Sequence, residues 1–421
     1  MKIAVAMSGG VDSSVAAALM VDKYGTQNVF GVTMKLFCYG ESGGSDKSCC
    51  SLDAIDDAAM VCKQLGISHY VVNLEKDFEA EIIDNFISEY SQGRTPNPCV
   101  RCNSLIKFKH LLRKAQELGA DILVTGHYAR ILPSLSSLVV NPGISSGPSD
   151  LSSEALVIDS EVSLIAQTRR AKMEEDPHFR KDDNVLGLFC GLDSAKDQSY
   201  FLYNLDQYQL GHIWFPLGEL TKPETRKLAE KYALKTAQKT ESQDICFVTT
   251  TTQDFLSNKI KIKAGNIVDK AGNVLGKHDG IPFYTIGQRK GLGGGFTEPM
   301  YVTGFDLVRN DLVVGREEEL YDDEMMVSDI HWTYGAPDLP TEMEVKIRYN
   351  SKASSASLNT SSEVEKSRSD SSRSGNCRTS NNKVLIRFQK PQKAITPGQT
   401  AVFYIKEEVV GGGIIESTRK Y

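Results

Sequence analysis

Ile3-Ala4-Val5-Ala6-Met7-Ser8-Gly9-Gly10-Val11-Asp12-Ser13-Ser14-Val15-Ala16-Ala17-Ala18-Leu19-Met20-Val21 is the stretch that decides the fold. Ile3 to Met7 has the length of a buried strand, and Val15 to Val21 reads as a helix. The turn between them is built to hold an anion. Gly9 and Gly10 let backbone N–H groups approach it, Ser8 and Ser13 add hydroxyls, and the helix aims its N-terminal dipole at the same point. No Gly-Lys-Ser/Thr ending follows, so this is not a Walker A loop.

Working outward, three more apolar runs read as strands: Val29 to Met34, His69 to Leu74 and Asp121 to Thr125. Between two of them, Leu52, Ile55, Ala59, Cys62 and Leu65 recur at helical spacing behind a serine N-cap, Ser51. Alternation of this kind predicts an α/β domain with a parallel sheet. That domain is expected over 1–211, with a low-complexity insertion over about 133–180 whose first 22 residues hold eight serines. Thr221-Lys222-Pro223-Glu224 opens a helix as a capping box, and a small central domain is expected over 212–281.

From 282 to 421 helical periodicity gives way to strands at Met300 to Leu307, Leu312 to Gly315, Met325 to Trp332, Met343 to Tyr349, Val384 to Phe388 and Ala401 to Ile405. Met343, Val345, Ile347 and Tyr349 alternate with charged residues, as in a half-buried strand. An antiparallel β-barrel hides the edges of such a set. A second serine-rich segment, 351–382, with twelve serines in 32 residues, is expected to be a loop insertion.

Bulk properties narrow the class. The 421 residues suit two or three domains. No apolar run approaches the roughly 18 residues of a membrane span, and no export signal is visible. Nine cysteines without a secretion signal point to a reducing, cytoplasmic setting rather than a disulfide framework. A net charge of −6 gives no global footprint for nucleic acid, so any such contact requires a local basic face.

Two cysteines stand in chemically suggestive strings. Cys102 lies in Thr95-Pro96-Asn97-Pro98-Cys99-Val100-Arg101-Cys102-Asn103, before an apolar helical face, with Asn103 as the expected N-cap. A thiol there, close in sequence to Arg101 and Lys107, is expected to be acidic and nucleophilic. Cys99 and Cys102 also read as a redox pair or as half of a zinc site with Cys49 and Cys50, although one such pair is a weak metal signal. Cys246, in Glu241-Ser242-Gln243-Asp244-Ile245-Cys246-Phe247, reads from position alone as a buried structural cysteine.

The glycine turn resembles that of the pyrophosphatase-loop adenylating enzymes, which split ATP between its α- and β-phosphates and transfer AMP to a carbonyl oxygen. Further strings extend the likeness over nearly the whole chain: 125–130 (TGHYAR), 196–203 (KDQSYFLY), 218–226 (GELTKPETR), 285–293 (TIGQRKGLG), 346–350 (KIRYN) and 396–404 (TPGQTAVFY). With 95–103 and 241–248 these resemble the tRNA-specific 2-thiouridylases.

The resemblance implies an adenine-nucleotide-hydrolase-like first domain and ATP-dependent replacement of the 2-oxygen of the wobble uridine by sulfur. It implies that Cys246 carries a persulfide and that Cys102 is its partner nucleophile, the two forming a transient disulfide. ATP contacts are implied at Ala6, Met7, Ser8, Gly9, Gly10, Val11, Asp12, Ser13, Met34 and Gly126. Contacts to tRNA are implied at Asn97, Pro98, Cys99, His127, Lys196, Asp197, Gln198, Arg348, Tyr349 and Gln399. Many relatives have Asp where this chain has Cys99, which opens a part for it in disulfide exchange. ATP and Mg2+ are the implied cofactors, and no tightly bound protein metal is expected. Implied partners are tRNA of the Lys, Glu and Gln type and a cysteine desulfurase or sulfur-relay protein acting on a monomer. Other adenylating enzymes that use ammonia give no reason for the two cysteine strings. A non-catalytic nucleotide- or zinc-binding protein predicts a held metal and no pyrophosphate release.

Overall fold

The structure, a computed structural model, describes residues 1–37, 52–134, 185–239, 245–248, 250–293, 296–360 and 383–418. Cys49, Cys50, Ser51 and most of both serine-rich segments lie outside the described residues.

The first run folds as its pattern predicts. β1 (Ile3–Ala6) is followed by α1 (Val11–Tyr24), and β2 (Val29–Lys35), β3 (Ser68–Asn73) and β4 (Ile122–Val124) are the expected parallel strands. Ile3 and Val5 face one core with α1 and α2 (Leu52–Leu65), while Ala4 faces another, as the two-residue period of a strand requires. Burying each large aliphatic side chain here contributes about 1.5–3 kcal/mol. On α2 the buried residues are Ala54, Ala58, Val61 and Cys62. Ile55 and Ala59, expected to face the sheet, are only half-buried, because small alanines bring helix and strand closest.

After β4 the chain forms a hairpin, β5 (Ala129–Pro133) and β6 (Leu186–Cys190), and then β7 (Ile213–Trp214). β7 pairs with β4, so the parallel sheet, ordered β3-β2-β1-β4-β7, extends past the boundary expected at 211. A second sheet contains β8 (Gly265–Val268), β9 (Val274–His278), β10 (Tyr301–Asp306) and β11 (Asp311–Gly315) in the order β10-β11-β8-β9. The two strands expected to open the barrel belong to this middle sheet, since β11 pairs in parallel with β8. Pairing therefore carries the middle module beyond 281, to Gly315.

Six antiparallel strands make the barrel: β12 (Tyr321–Trp332), β13 (Thr341–Lys346), β14 (Ser354–Thr360), β15 (Val384–Lys393), β16 (Thr400–Ile405) and β17 (Glu408–Thr418). The pairing of β12 with β17 closes it. Met343, Val345 and Ile347 point into its core as their alternation predicts. β14 corrects the expected insertion: 354–360 pairs with both β13 and β15, with Ala356 and Leu358 fully buried. Serine-rich composition hid a strand whose inward positions are apolar. Glu408 and Val409 of β17 also pair with β6, which joins the hairpin to the barrel sheet.

Candidate active site

Gly9 has φ +68, and a Cβ there would lie 2.4 Å from the Ala54 carbonyl oxygen, so only glycine fits between the loop and α2. Ser13 Oγ accepts from Ser8 N at 3.2 Å and donates to Gly10 O at 3.1 Å. Ser14 Oγ also donates to Gly10 O, at 2.8 Å. Gly10 caps α1 without a side chain, so the N–H groups of the first turn are not claimed by a capping side chain and face the loop mouth. The side chains of Met7 and Val11 enter the core below, which leaves only their backbone at the loop. Ala6 and Met34 are half-buried on the other core. A Cβ on Gly126 would lie 2.8 Å from Ser13 N, so this glycine lets the end of β4 rest on the first turn of α1.

Asp12, read as a nucleotide contact, is held by a neighbour that sequence reasoning missed. Lys222 Nζ donates to both its carboxylate oxygens, at 2.7 and 2.9 Å, and Tyr128 OH donates to Oδ1 at 2.9 Å. Lys222 sits at the first position of the helix Lys222–Lys231, behind its Thr221–Glu224 capping box, and is 7% exposed. Tyr128 OH also lies 3.0 Å from Thr225 Oγ1. The signal was present in the strings at 125–130 and 218–226, whose residues meet only in three dimensions. The pairing neutralises the loop's own carboxylate, which would otherwise repel a phosphate.

The cysteine helix begins earlier than expected. Asn97, not Asn103, is its N-cap: Asn97 Oδ1 accepts from Val100 N at 3.3 Å, and Pro98 takes the first helical position. Cys99 is exposed in the first turn. Cys102 lies one turn further in, where the helix widens to π-type bonding over Cys102–Leu111. Of the two cations near it in sequence, Arg101 Nε donates to Glu81 O at 2.6 Å and Lys107 Nζ lies 3.4 Å from His127 Nε2. Asn103 is buried and donates to Phe201 O at 3.2 Å.

Cys246 lies in a turn, half-buried, rather than in a strand. The next residue, Phe247, anchors it among the rings of Phe78, Phe86 and Phe255, at centroid distances of 5.7, 5.1 and 5.4 Å. Ala6, Met34, Cys102, Cys246 and Tyr349 all pack on one extended hydrophobic core that runs from the parallel sheet to the barrel strands. Among the described residues no disulfide joins Cys102 to Cys246.

The residues with implied RNA contacts fall into two groups. Asn97, Pro98 and Cys99 open the cysteine helix, with Gln399 at its entry and Arg348 and Tyr349 beside Tyr200, while His127 packs further along it, against Lys107 and Phe108. Gln399 Nε2 donates to Thr95 O at 2.9 Å, and Tyr349 stacks on Phe201 at 4.5 Å. Arg348 is tied inward, donating to Ala394 O at 2.7 Å and Thr396 Oγ1 at 2.6 Å. His127 lies between Phe108 and Phe215, and burial, then the Lys107 ammonium, hold its imidazole well below the usual histidine range. It is therefore neutral near pH 7.

Lys196, Asp197 and Gln198 form the second group, and two of them are structural in this state. Asp197 is 6% exposed and accepts from Gly191 N, Ser199 N and Ser199 Oγ, each at 3.0 Å. Gln198 clamps the Tyr128 backbone, donating from its N–H at 2.8 Å and accepting at Oε1 at 3.0 Å. Among the described residues no three His, Cys, Asp or Glu side chains converge to hold a metal. None of the described helices is long and apolar enough to cross a membrane.

Comparison with known proteins agrees with this geometry. Residues 1–142 and 152–250 match the family model described as a tRNA methyl transferase HUP domain, and 253–316 match its PRC-barrel domain. Residues 363–415 match an aminomethyltransferase beta-barrel domain. A protein of Geobacter metallireducens named tRNA-specific 2-thiouridylase MnmA is 40% identical over 99% of this chain and 97% of its own length. One of Caldanaerobacter subterraneus, named tRNA-specific 2-thiouridylase MnmA 1, is 42% identical over 99% of this chain and 98% of its own. That of Carboxydothermus hydrogenoformans is 40% identical over 99% and 97%. With the glycine loop, both cysteine strings and the closed barrel carried on one chain and matched from end to end, the protein belongs to the tRNA-specific 2-thiouridylase family.

Proposed function

We propose that this enzyme uses ATP to adenylate the 2-oxygen of the wobble uridine of tRNA and replaces it with sulfur carried on Cys246. The observation that carries the reading is the shared core on which the loop residue Ala6, Cys102 and Cys246 all pack. One continuous core thereby carries the groups for activation and those for substitution. The family model's description mentions methyl transfer, whereas the relatives' names mention thiolation, and two cysteines packed on the same core as the loop serve the second chemistry.

In the first step the uridine 2-oxygen attacks the α-phosphorus, pyrophosphate leaves and ring N3 loses its proton. In the second, the Cys102 thiolate attacks the Cys246 sulfur of a persulfide, forming a Cys102–Cys246 disulfide and expelling hydrosulfide. Hydrosulfide adds to the ring carbon, AMP leaves with the old oxygen, and N3 regains a proton. A dithiol reductant then restores both thiols, and a cysteine desulfurase or sulfur-relay protein reloads Cys246. The cysteine helix, starting where the barrel and the middle module meet it, is the place for the target base. Asn97, Tyr349 and Gln399 are the residues we assign nearest to it. Mg2+ enters with the nucleotide as the counter-ion of its phosphates.

Purified protein is incubated with ATP, Mg2+, a persulfide donor and unmodified tRNA of the Lys, Glu or Gln type, followed by nucleoside mass spectrometry. Thiouridine from wild type and none from Cys102→Ser or Cys246→Ser is the expected result. A methylated nucleoside, or no product from wild type with an active donor, would overturn the reading.

A further inference from the structure

We propose that Lys239 supplies the cation for the nucleotide's β- and γ-phosphates that the Ser8–Ser14 loop lacks. The inference rests on the adenylating reading above and assigns a residue that reading leaves out. Lys239 Nζ donates to the Gly9 carbonyl at 3.0 Å and to Asp57 Oδ2 at 2.5 Å. An ammonium group thus already touches the backbone of the anion loop.

Three observations carry the assignment. The loop has backbone donors and a helix dipole but no lysine of its own, unlike a Walker A loop. Lys222, a second lysine near the loop, is committed to Asp12 by two short bonds and is buried, so its charge is spent on the protein's own carboxylate. Lys239 is bound differently: its side chain is 38% exposed and that of Asp57 is 27% exposed. An ion pair this exposed is weakly held, and the flexible lysine stem lets the ammonium move from a carbonyl oxygen to a phosphate oxygen nearby.

Position in the chain adds a second consequence. Lys239 follows the helix Lys222–Lys231 and precedes Cys246 by seven residues, so one segment carries the phosphate cation and the sulfur-bearing cysteine.

The plain alternative is a tie between Lys239 and Asp57 that only holds the segment to α2. Equilibrium binding of ATP to the full-length protein separates the two. For Lys239→Met the expected result is a dissociation constant raised about tenfold or more, the size of one lost charge-assisted hydrogen bond. Lys239→Arg should recover most of it. Asp57→Asn, which breaks the ion pair but keeps the cation, should stay within about twofold of wild type. Persulfide loading of Cys246, read by thiol-specific gel shift, should be unchanged in all three. Equal loss of ATP affinity in Asp57→Asn and Lys239→Met would overturn the proposal, as would wild-type affinity in Lys239→Met. Wild type that binds ATP but makes no thiouridine would sink the thiolation reading while leaving the lysine assignment standing. Wild type that binds no nucleotide would sink both.

Discussion

Gln399, on the turn before β16, donates through Nε2 to the Thr95 carbonyl at 2.9 Å and lies 3.4 Å from that of Pro96. In the reverse direction Thr95 N donates to Pro397 O at 2.9 Å. A barrel turn therefore holds the two residues that lead into the cysteine helix. Gln399→Ala should lower stability by about 1 kcal/mol. Thiouridine formation should fall several-fold while ATP affinity is unchanged, because the loss is confined to the start of that helix. Thermal melts, nucleoside mass spectrometry and ATP titration check the three parts. Unchanged thiouridine yield would show that the turn holds its shape without this residue.

Lys222→Met should destabilise the protein by about 3 kcal/mol, since it strands a partly buried Asp12 carboxylate. The double variant Lys222→Met, Asp12→Asn should regain much of that stability. Chemical denaturation of the two single variants and the double gives the coupling directly. Additive losses would mean that the pair contributes little.

His127 gives a pH dependence with a definite sign. Its folded-state pKa is depressed, so the unfolded chain binds more protons once pH falls below the ordinary histidine value of about 6.5. Its contribution is fully present above that pH and declines as pH falls toward the folded-state value, by at most about 1.4 kcal/mol per unit. His69, lowered by burial, adds in the same direction. Melts from pH 7.5 to 5 should show this slope, and His127→Phe should flatten it. An equal slope in the variant would assign the effect elsewhere.

Alkylation should rank the thiols. Burial pushes Cys62 up to about 12 and Cys190 up to about 11, whereas Cys99 is exposed in the first turn of its helix. Iodoacetamide at neutral pH, followed by peptide mass spectrometry, should label Cys99 first and leave Cys62 unmodified in the folded protein. Rapid labelling of Cys62 would show that α2 opens from the sheet.

Deletions should separate strand from insertion. Replacing 361–382 with a short turn should keep the barrel, because β14 and β15 retain their pairing. Removing 351–382 takes β14 away and opens the barrel between β13 and β15. Soluble yield and cooperative unfolding should survive the first deletion and not the second.

The parallel sheet was legible because β1, β2 and β4 are continuous apolar runs, and the glycine loop because its residues are adjacent in sequence. Two things were not. β14 reads as low complexity, since serines occupy its outward positions and only Ala356 and Leu358 face the core. The Asp12–Lys222–Tyr128 network is made from three distant segments, and pairing of charges across a fold leaves no periodic trace in a chain. Asn103 looked like a cap because it precedes the longer apolar run. Asn97 took that place because Pro98 starts the helix one turn earlier.

On the edge away from β16, β17 pairs its first two residues with β6, opposite Phe189 and Leu188, and residues from Gly411 onward with β12, closing the barrel. A ladder between positions so far apart in the chain has a consequence for biosynthesis. The hairpin must wait for a far-downstream segment to be made before it meets its third strand. A nascent chain arrested after the middle module would expose that hairpin edge, so the edge stays open until β17 arrives.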